Sequence, residues 1–253
     1  MNHARERWAT LAAAAGLVLL AACSEEPSTT SSSDPASGSA SAEPDYVLLL
    51  DDDADPDQVQ GEPGRYALTA RGDGTPPLAV LDVPAGFSNF GFFALWPSGS
   101  AEETGANADP YRAVQYWTVD GVFFDPCDRQ GKPARDAGTS VDDLAAALVA
   151  QKLTSTSKPA PVSLDGHDGL YLEMMASPDV EFDDCEIGYY FFWEGMPGDA
   201  QHSADSPGTV ERTWIIDVDG ERVVLVAASA PGVSHTQVEA LTHMVESVQF
   251  VEP

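Results

Sequence analysis

The chain has 253 residues, with 12 Lys and Arg against 41 Asp and Glu, for a formal net charge of −29. That excess excludes a nucleic-acid-binding surface, which needs clustered Lys and Arg to displace counterions. It also sets the protein body against anionic lipid, so any membrane attachment must come from outside the folded part.

Residues 1–22 carry Arg5 and Arg7 and then an Ala- and Leu-rich run too short to be an ordinary spanning helix. The run ends in Leu20-Ala21-Ala22-Cys23, which resembles the lipobox of bacterial lipoproteins. The resemblance implies a cleaved signal peptide over 1–22 and a diacylglyceryl group on the Cys23 thiol. Two acyl chains hold a protein stably where one gives only marginal binding. The expected location is therefore the extracytoplasmic face of the cell membrane, with lipid as the only anchor. Loss of Arg5, Arg7 and Glu6 with the leader moves the net charge to −30.

Residues 23–63 read as the lipidated Cys followed by a disordered acidic tether. Between Cys23 and Gly64 stand eleven acids and no Lys or Arg, interrupted by Tyr46-Val47-Leu48-Leu49-Leu50. Such a composition buries too little apolar surface to offset chain entropy. Asp51, Asp53, Asp55, Asp57 and Glu62 match positions 1, 3, 5, 7 and 12 of a calcium loop, but Pro56 stands where that loop needs Gly. The run reads as solvated acid, and no metal or cofactor is expected.

Residues 64–253 read as one domain. Arg65–Arg71 and Leu78–Val83 have strand character, followed by aromatic-rich extended segments at Ser88–Trp96 and Val114–Phe124. Thr139 or Ser140 caps a helix to about Lys152, with Val141, Leu144, Ala145, Leu148 and Val149 on one face. Val162–Leu164 and Leu170–Met175 are predicted strands across a turn holding Asp165, His167 and Asp168, whose side chains suit backbone capping. Ile187–Trp193 is a further strand. Asp219-Gly220 between two β-branched runs predicts a type I′ hairpin. Ser234 and Gln237 form a capping box for the last helix, with Val233 placed to staple onto Val238. Strands, helix, strands and helix predict an α+β fold, an antiparallel sheet with helices packed on it.

Cys127 and Cys185 remain as an even pair in an oxidising compartment. With no Cys-x-x-Cys spacing, they are expected to form a structural disulfide. Tyr189-Tyr190-Phe191-Phe192-Trp193 places Tyr189, Phe191 and Trp193 on one face of a strand and Tyr190 and Phe192 on the other, which reads either as a strand covered on both faces or as a candidate ligand groove lined by Tyr189, Phe191 and Trp193. No Gly-x-Ser-x-Gly, His-Glu-x-x-His, Walker or dinucleotide pattern is present.

Three segments carry a resemblance to a known group: Leu81-Asp82-Val83-Pro84-Ala85-Gly86-Phe87, the Val162–Gly166 to Gly169–Tyr171 hairpin, and the terminal Val245-Glu246-Ser247-Val248-Gln249-Phe250. They resemble the PsbP/Mog1-like group, which includes actinobacterial lipoproteins of the LpqN type. Phe90–Leu95, Tyr116–Cys127 and Val141–Ala147 are similar to exported actinobacterial proteins. The resemblance implies binding rather than catalysis and transfers no site residue. The expected function is a lipid-anchored extracytoplasmic binding or sensing protein, not an enzyme, whose partner is an envelope glycan, lipid or protein. The alternatives are an assembly partner in a cell-envelope complex and a hydrolase with an unfamiliar site.

Overall fold

The computed structural model describes residues 44–50, 59, 61–75, 77–98, 109–128, 134–195 and 200–251. The leader, Cys23 and the acids Asp51, Asp53, Asp55 and Asp57 lie outside the described residues. In chain order the elements are β1 (Val47–Leu48), β2 (Gly64–Leu68), β3 (Leu78–Val83), β4 (Phe87–Phe90), β5 (Ala94–Pro97) and β6 (Arg112–Trp117). Two short strands follow, β7 (Gly121–Val122) and β8 (Arg135–Asp136), and then helix α1 (Val141–Val149). Next come β9 (Thr154–Thr156), β10 (Ala160–Leu164), β11 (His167–Ala176), β12 (Phe191–Glu194) and β13 (Gln201–Ser203). The chain closes with β14 (Val210–Val218), β15 (Glu221–Ser229), α2 (His235–Glu246) and β16 (Gln249–Val251).

The central sheet runs β10-β11-β14-β15-β6-β5-β4, with β9 also paired to β11. Its spine is the β14–β15 hairpin, in register from Val210 opposite Ser229 to Val218 opposite Glu221. Asp219 and Gly220 turn it with φ of 52° and 90°, the left-handed backbone that the Asp-Gly pair predicts. Period-two alternation divides each strand between two cores. Val223, Leu225 and Ala227 face one of them, and Val224, Val226 and Ala228 face the other.

The first core is closed by α2 and the sheet β1-β2-β3-β16, the second by α1 and the sheet β13-β12-β7-β8. Both helices begin as their caps dictate: Ser140 pairs reciprocally with Asp143, and Ser234 with Gln237. Asp165 does cap backbone, but at long range. Its Oδ2 accepts the Phe250 N–H at 2.7 Å and ties the β10–β11 turn to β16.

This overturns the expected α+β fold of the PsbP/Mog1-like kind, in which helices pack on one antiparallel sheet. Among the described residues the protein is mostly β, 43% strand and 13% helical, with three sheets and two α-helices. Each helix covers only part of its face of the central sheet, and a small sheet covers the rest. The strands β1, β7 and β8 are two residues long, too short to show any hydrophobic period, so sequence pattern registers β2, β3 and β12 as strands but not that they build two separate outer sheets. The tether boundary shifts as well. β1 pairs in parallel with β2, and Leu49 lies in the first core. Tyr46–Leu50, read as part of the tether, therefore belongs to the folded unit.

Candidate functional site: a four-loop cleft beside a buried His–Glu pair

Cys127 and Cys185 are disulfide-bonded, with Cα atoms 4.6 Å apart. The bridge joins the segment after β7 to the 3-10 turn at Phe182–Asp184. Of the three aromatics of the expected groove, the Tyr189 and Phe191 rings meet, 5.6 Å apart, but Trp193 does not join them. Tyr189 is 57% exposed, Phe191 is nearly buried at 8% and Trp193 is fully buried. A β-bulge explains the departure. Phe191 pairs with Ser203 and Trp193 with His202, so Phe192 is the extra residue. Alternation breaks there, and Phe192 and Trp193 both enter the second core.

What Trp193 covers is a buried His–Glu contact that the sequence reading did not find. The His202 ring lies 4.3 Å from Trp193, 5.1 Å from Trp117 and 5.7 Å from Phe192, centroid to centroid. Its Nε2 is 3.2 Å from Glu211 Oε2, and Glu211 is fully buried on β14. Neither Glu211 oxygen makes a hydrogen bond of good geometry, nor does Trp193 Nε1. Beside them Trp117 Nε1 donates to Gln115 Oε1 at 2.7 Å, and Gln115 Nε2 donates to the Tyr111 hydroxyl at 2.8 Å. Burial, then the charges of Glu211 and Asp205, push the Tyr111 phenol well up, so it stays neutral. Loss of hydration, reinforced by Glu211, raises the Asp205 carboxyl as well. Among the described residues no hydroxyl or thiol hydrogen-bonds to the His202 or Glu211 side chain. One signal could have found it: on β14, Glu211 and Thr213 share parity with the core residue Ile215.

The open concavity lies at the hairpin end of the central sheet, where four loops meet in a cleft of about 950 Å³. Arg71 and Asp73 come from the loop after β2, Asp120 from β6–β7, Asp136 from β8, and Glu221 and Arg222 from the start of β15, just past the hairpin turn. Arg222 is the keystone. Its Nη1 donates to the carbonyls of Ala137, Gly138 and Ser140, and its Nη2 to that of Val119 at 2.6 Å. One guanidinium thus fixes two of the four loops and the start of α1. Arg71 Nη2 meets Glu221 Oε1 at 2.6 Å. Asp136 accepts the Gly138 N–H at 2.7 Å, and hydrogen bonds from Thr75 hold the Asp73 carboxyl below its ordinary range. The cleft therefore combines four carboxylates, two arginines already engaged with the protein, and exposed backbone.

A second, more apolar groove of about 680 Å³ runs between α2 and the β2–β3 sheet, past Val83, Pro84, Ala240 and Met244. Arg65 at its edge is paired with Asp45. Among the described residues no three His, Cys, Asp or Glu side chains are grouped so as to hold a metal ion. No helix among them is long and apolar enough to cross a membrane. No protein-family model and no curated protein matches this chain.

Proposed function

We propose that this chain is a lipid-anchored, extracytoplasmic binding protein and not an enzyme, and that its ligand occupies the four-loop cleft. One observation carries the reading. Loops from different layers converge on a wide polar concavity at one end of a rigid sheet, the arrangement that suits recognition by loops on a fixed scaffold. The lipobox at Cys23 supplies the anchor, and the acidic segment behind it gives reach from the membrane. The chemistry of the cleft favours a ligand rich in hydroxyl groups, for which carboxylates and carbonyls are acceptors. An anion would meet four carboxylates and a protein of net charge −29.

Two experiments test the proposal. Palmitate labelling in the native host should mark the wild-type protein and leave Cys23→Ser unlabelled and released from the membrane. A labelled Cys23→Ser protein would refute the anchor. A thermal-shift screen of the mature protein with oligosaccharides, peptides and lipids should yield a ligand that raises the unfolding midpoint. That shift should vanish in Asp120→Asn, which removes an exposed charge at constant shape. A ligand whose shift survives this change, and changes elsewhere in the cleft, does not bind there.

A further inference from the structure

We infer that Phe90 and Trp96 form a saccharide-stacking platform beside the cleft. The inference rests on the cleft reading and names the class of its ligand.

Phe90 is 49% exposed although it lies in a regular strand. Its ring is 4.4 Å from that of Trp96, centroid to centroid, and Trp96 is itself partly exposed. Register puts them on one face, because β4 and β5 pair Ser88 with Trp96 and Phe90 with Ala94. The pair is held from behind: Phe93 packs edge-on against Phe90 at 5.9 Å and against the core residue Trp117 at 5.2 Å. This is an ordered apolar surface, not a lone exposed side chain.

The same register locates it. The Tyr116 N–H donates to the Phe93 carbonyl at 2.8 Å, and the chain leaving β6 lines the cleft as Thr118 and Val119. The Phe92 carbonyl accepts from Thr69, and a Cβ on Gly72 would come within 2.8 Å of the Phe92 ring. Gly72 lies between Arg71 and Asp73 of the cleft wall. The β4–β5 turn therefore abuts the cleft at the same end of the sheet.

A pyranose ring has one face of weakly positive C–H groups and a rim of hydroxyls. Its C–H face suits the negative face of an aromatic ring. Its hydroxyls suit the cleft carboxylates and the exposed hydroxyls of Ser88 and Ser98, which lie 2.8 Å apart on the platform side. Being neutral, it is not repelled by the acidic body. The two rings lean on each other at 38°, and the outer face of Phe90, half exposed, next to a polar, acceptor-rich cleft is complementary to that ligand.

The test titrates the mature protein with chitotetraose, mannotetraose and cellotetraose, following tryptophan emission and calorimetry together. Trp117, Trp193 and Trp214 are buried, so Trp96 reports on the platform. At least one sugar should shift the emission and protect it from acrylamide quenching. Phe90→Ala should melt like wild type and bind about 10-fold more weakly, a loss of about 1.4 kcal/mol. Trp96→Phe should keep measurable binding by calorimetry and lose the optical signal. Sugar binding abolished by Asp120→Asn but unchanged in Phe90→Ala would overturn the platform and leave the cleft reading intact. So would a cleft ligand that is not a saccharide, with all three sugars inert. Self-association of the protein that disappears in Phe90→Ala would assign the pair to a dimer contact and also overturn it. Silence from every ligand in both screens would refute the platform and the cleft reading together.

Discussion

Glu211 offers the sharpest check on how the second core is held. Its carboxylate is fully buried, and its nearest opposite partner is His202 Nε2 at 3.2 Å, inside a box of three aromatic rings. Removing one member of a buried pair leaves an uncompensated polar or charged group and costs about 3–5 kcal/mol. Replacing both with apolar groups of similar volume is often neutral or stabilising. His202→Leu alone should therefore lower stability by roughly 3–5 kcal/mol, a fall of roughly 10 °C in Tm for a domain of this size. Glu211→Leu alone should cost less, because what it leaves in the aromatic box is a polar ring and not an acid group. The double variant should recover most of the His202→Leu loss. Urea unfolding at pH 7 of wild type, both single variants and the double variant closes the cycle, with a coupling of about 2 kcal/mol or more. Additive losses would refute the reasoning, because they would mean the two side chains contribute only packing volume.

Three other perturbations have expected outcomes. Cys127→Ser with Cys185→Ser should cost up to about 4 kcal/mol by chain entropy, measured by guanidinium unfolding; a midpoint unchanged from wild type would mean the bridge constrains nothing. Arg222→Met keeps the stem but leaves four carbonyl groups short of a donor. It should cost about 2–4 kcal/mol and accelerate amide exchange at the start of α1, with normal exchange counting against the keystone role. Hydrogen bonding with Ser140 lowers the Asp143 carboxyl from its ordinary value of 3.8, and Thr75 does the same for Asp73. A depressed carboxylate stabilises the fold above its unfolded value and loses that contribution as pH falls through the folded one. Both contributions should thus be complete at pH 5 and fade below about pH 4, and the acid limb of a stability curve should flatten in Asp143→Asn.

Features written in local chemistry were legible before the structure. The Asp219-Gly220 turn, the Ser140 and Ser234 capping boxes and the Cys127–Cys185 pairing each depend on a few adjacent residues or on parity of count. Features that depend on long-range partners were not. Strands of two residues such as Gly121–Val122 exist only because Glu194 and Arg135 lie beside them. Val47–Leu48 sits inside an acid-rich stretch, and only its pairing to Tyr66 and Ala67 distinguishes it from tether. The aromatic strand misled because alternation assumes an unbroken ladder, and one bulge between Phe191 and Trp193 reverses the parity. The cleft has no sequence signature at all, since its walls come from segments as far apart as Arg71 and Arg222.

The ion pairs themselves argue for a neutral ligand. The chain has only 12 Lys and Arg, and most of those in the described residues are engaged internally: Arg65 with Asp45 and Asp82, Arg71 with Glu221, Arg112 with Asp109, Lys152 with Asp125, Arg212 with Glu173, and Arg222 with backbone carbonyls. Among the described residues little positive charge is left to attract a phosphate or a carboxylate ligand. A cationic ligand would instead be drawn in by the long-range field, and its affinity would fall steeply as salt shortens the Debye length from about 10 Å at 0.1 M to about 3 Å at 1 M. A saccharide held by hydroxyl contacts and aromatic stacking feels almost none of that field. Its affinity should change less than about 2-fold across the same range. Calorimetric titrations at 0.1 M and 1 M NaCl separate the two cases. A loss of 10-fold or more at high salt would mean that the cleft carboxylates recognise a cation and that the sugar reading of this end of the sheet is wrong.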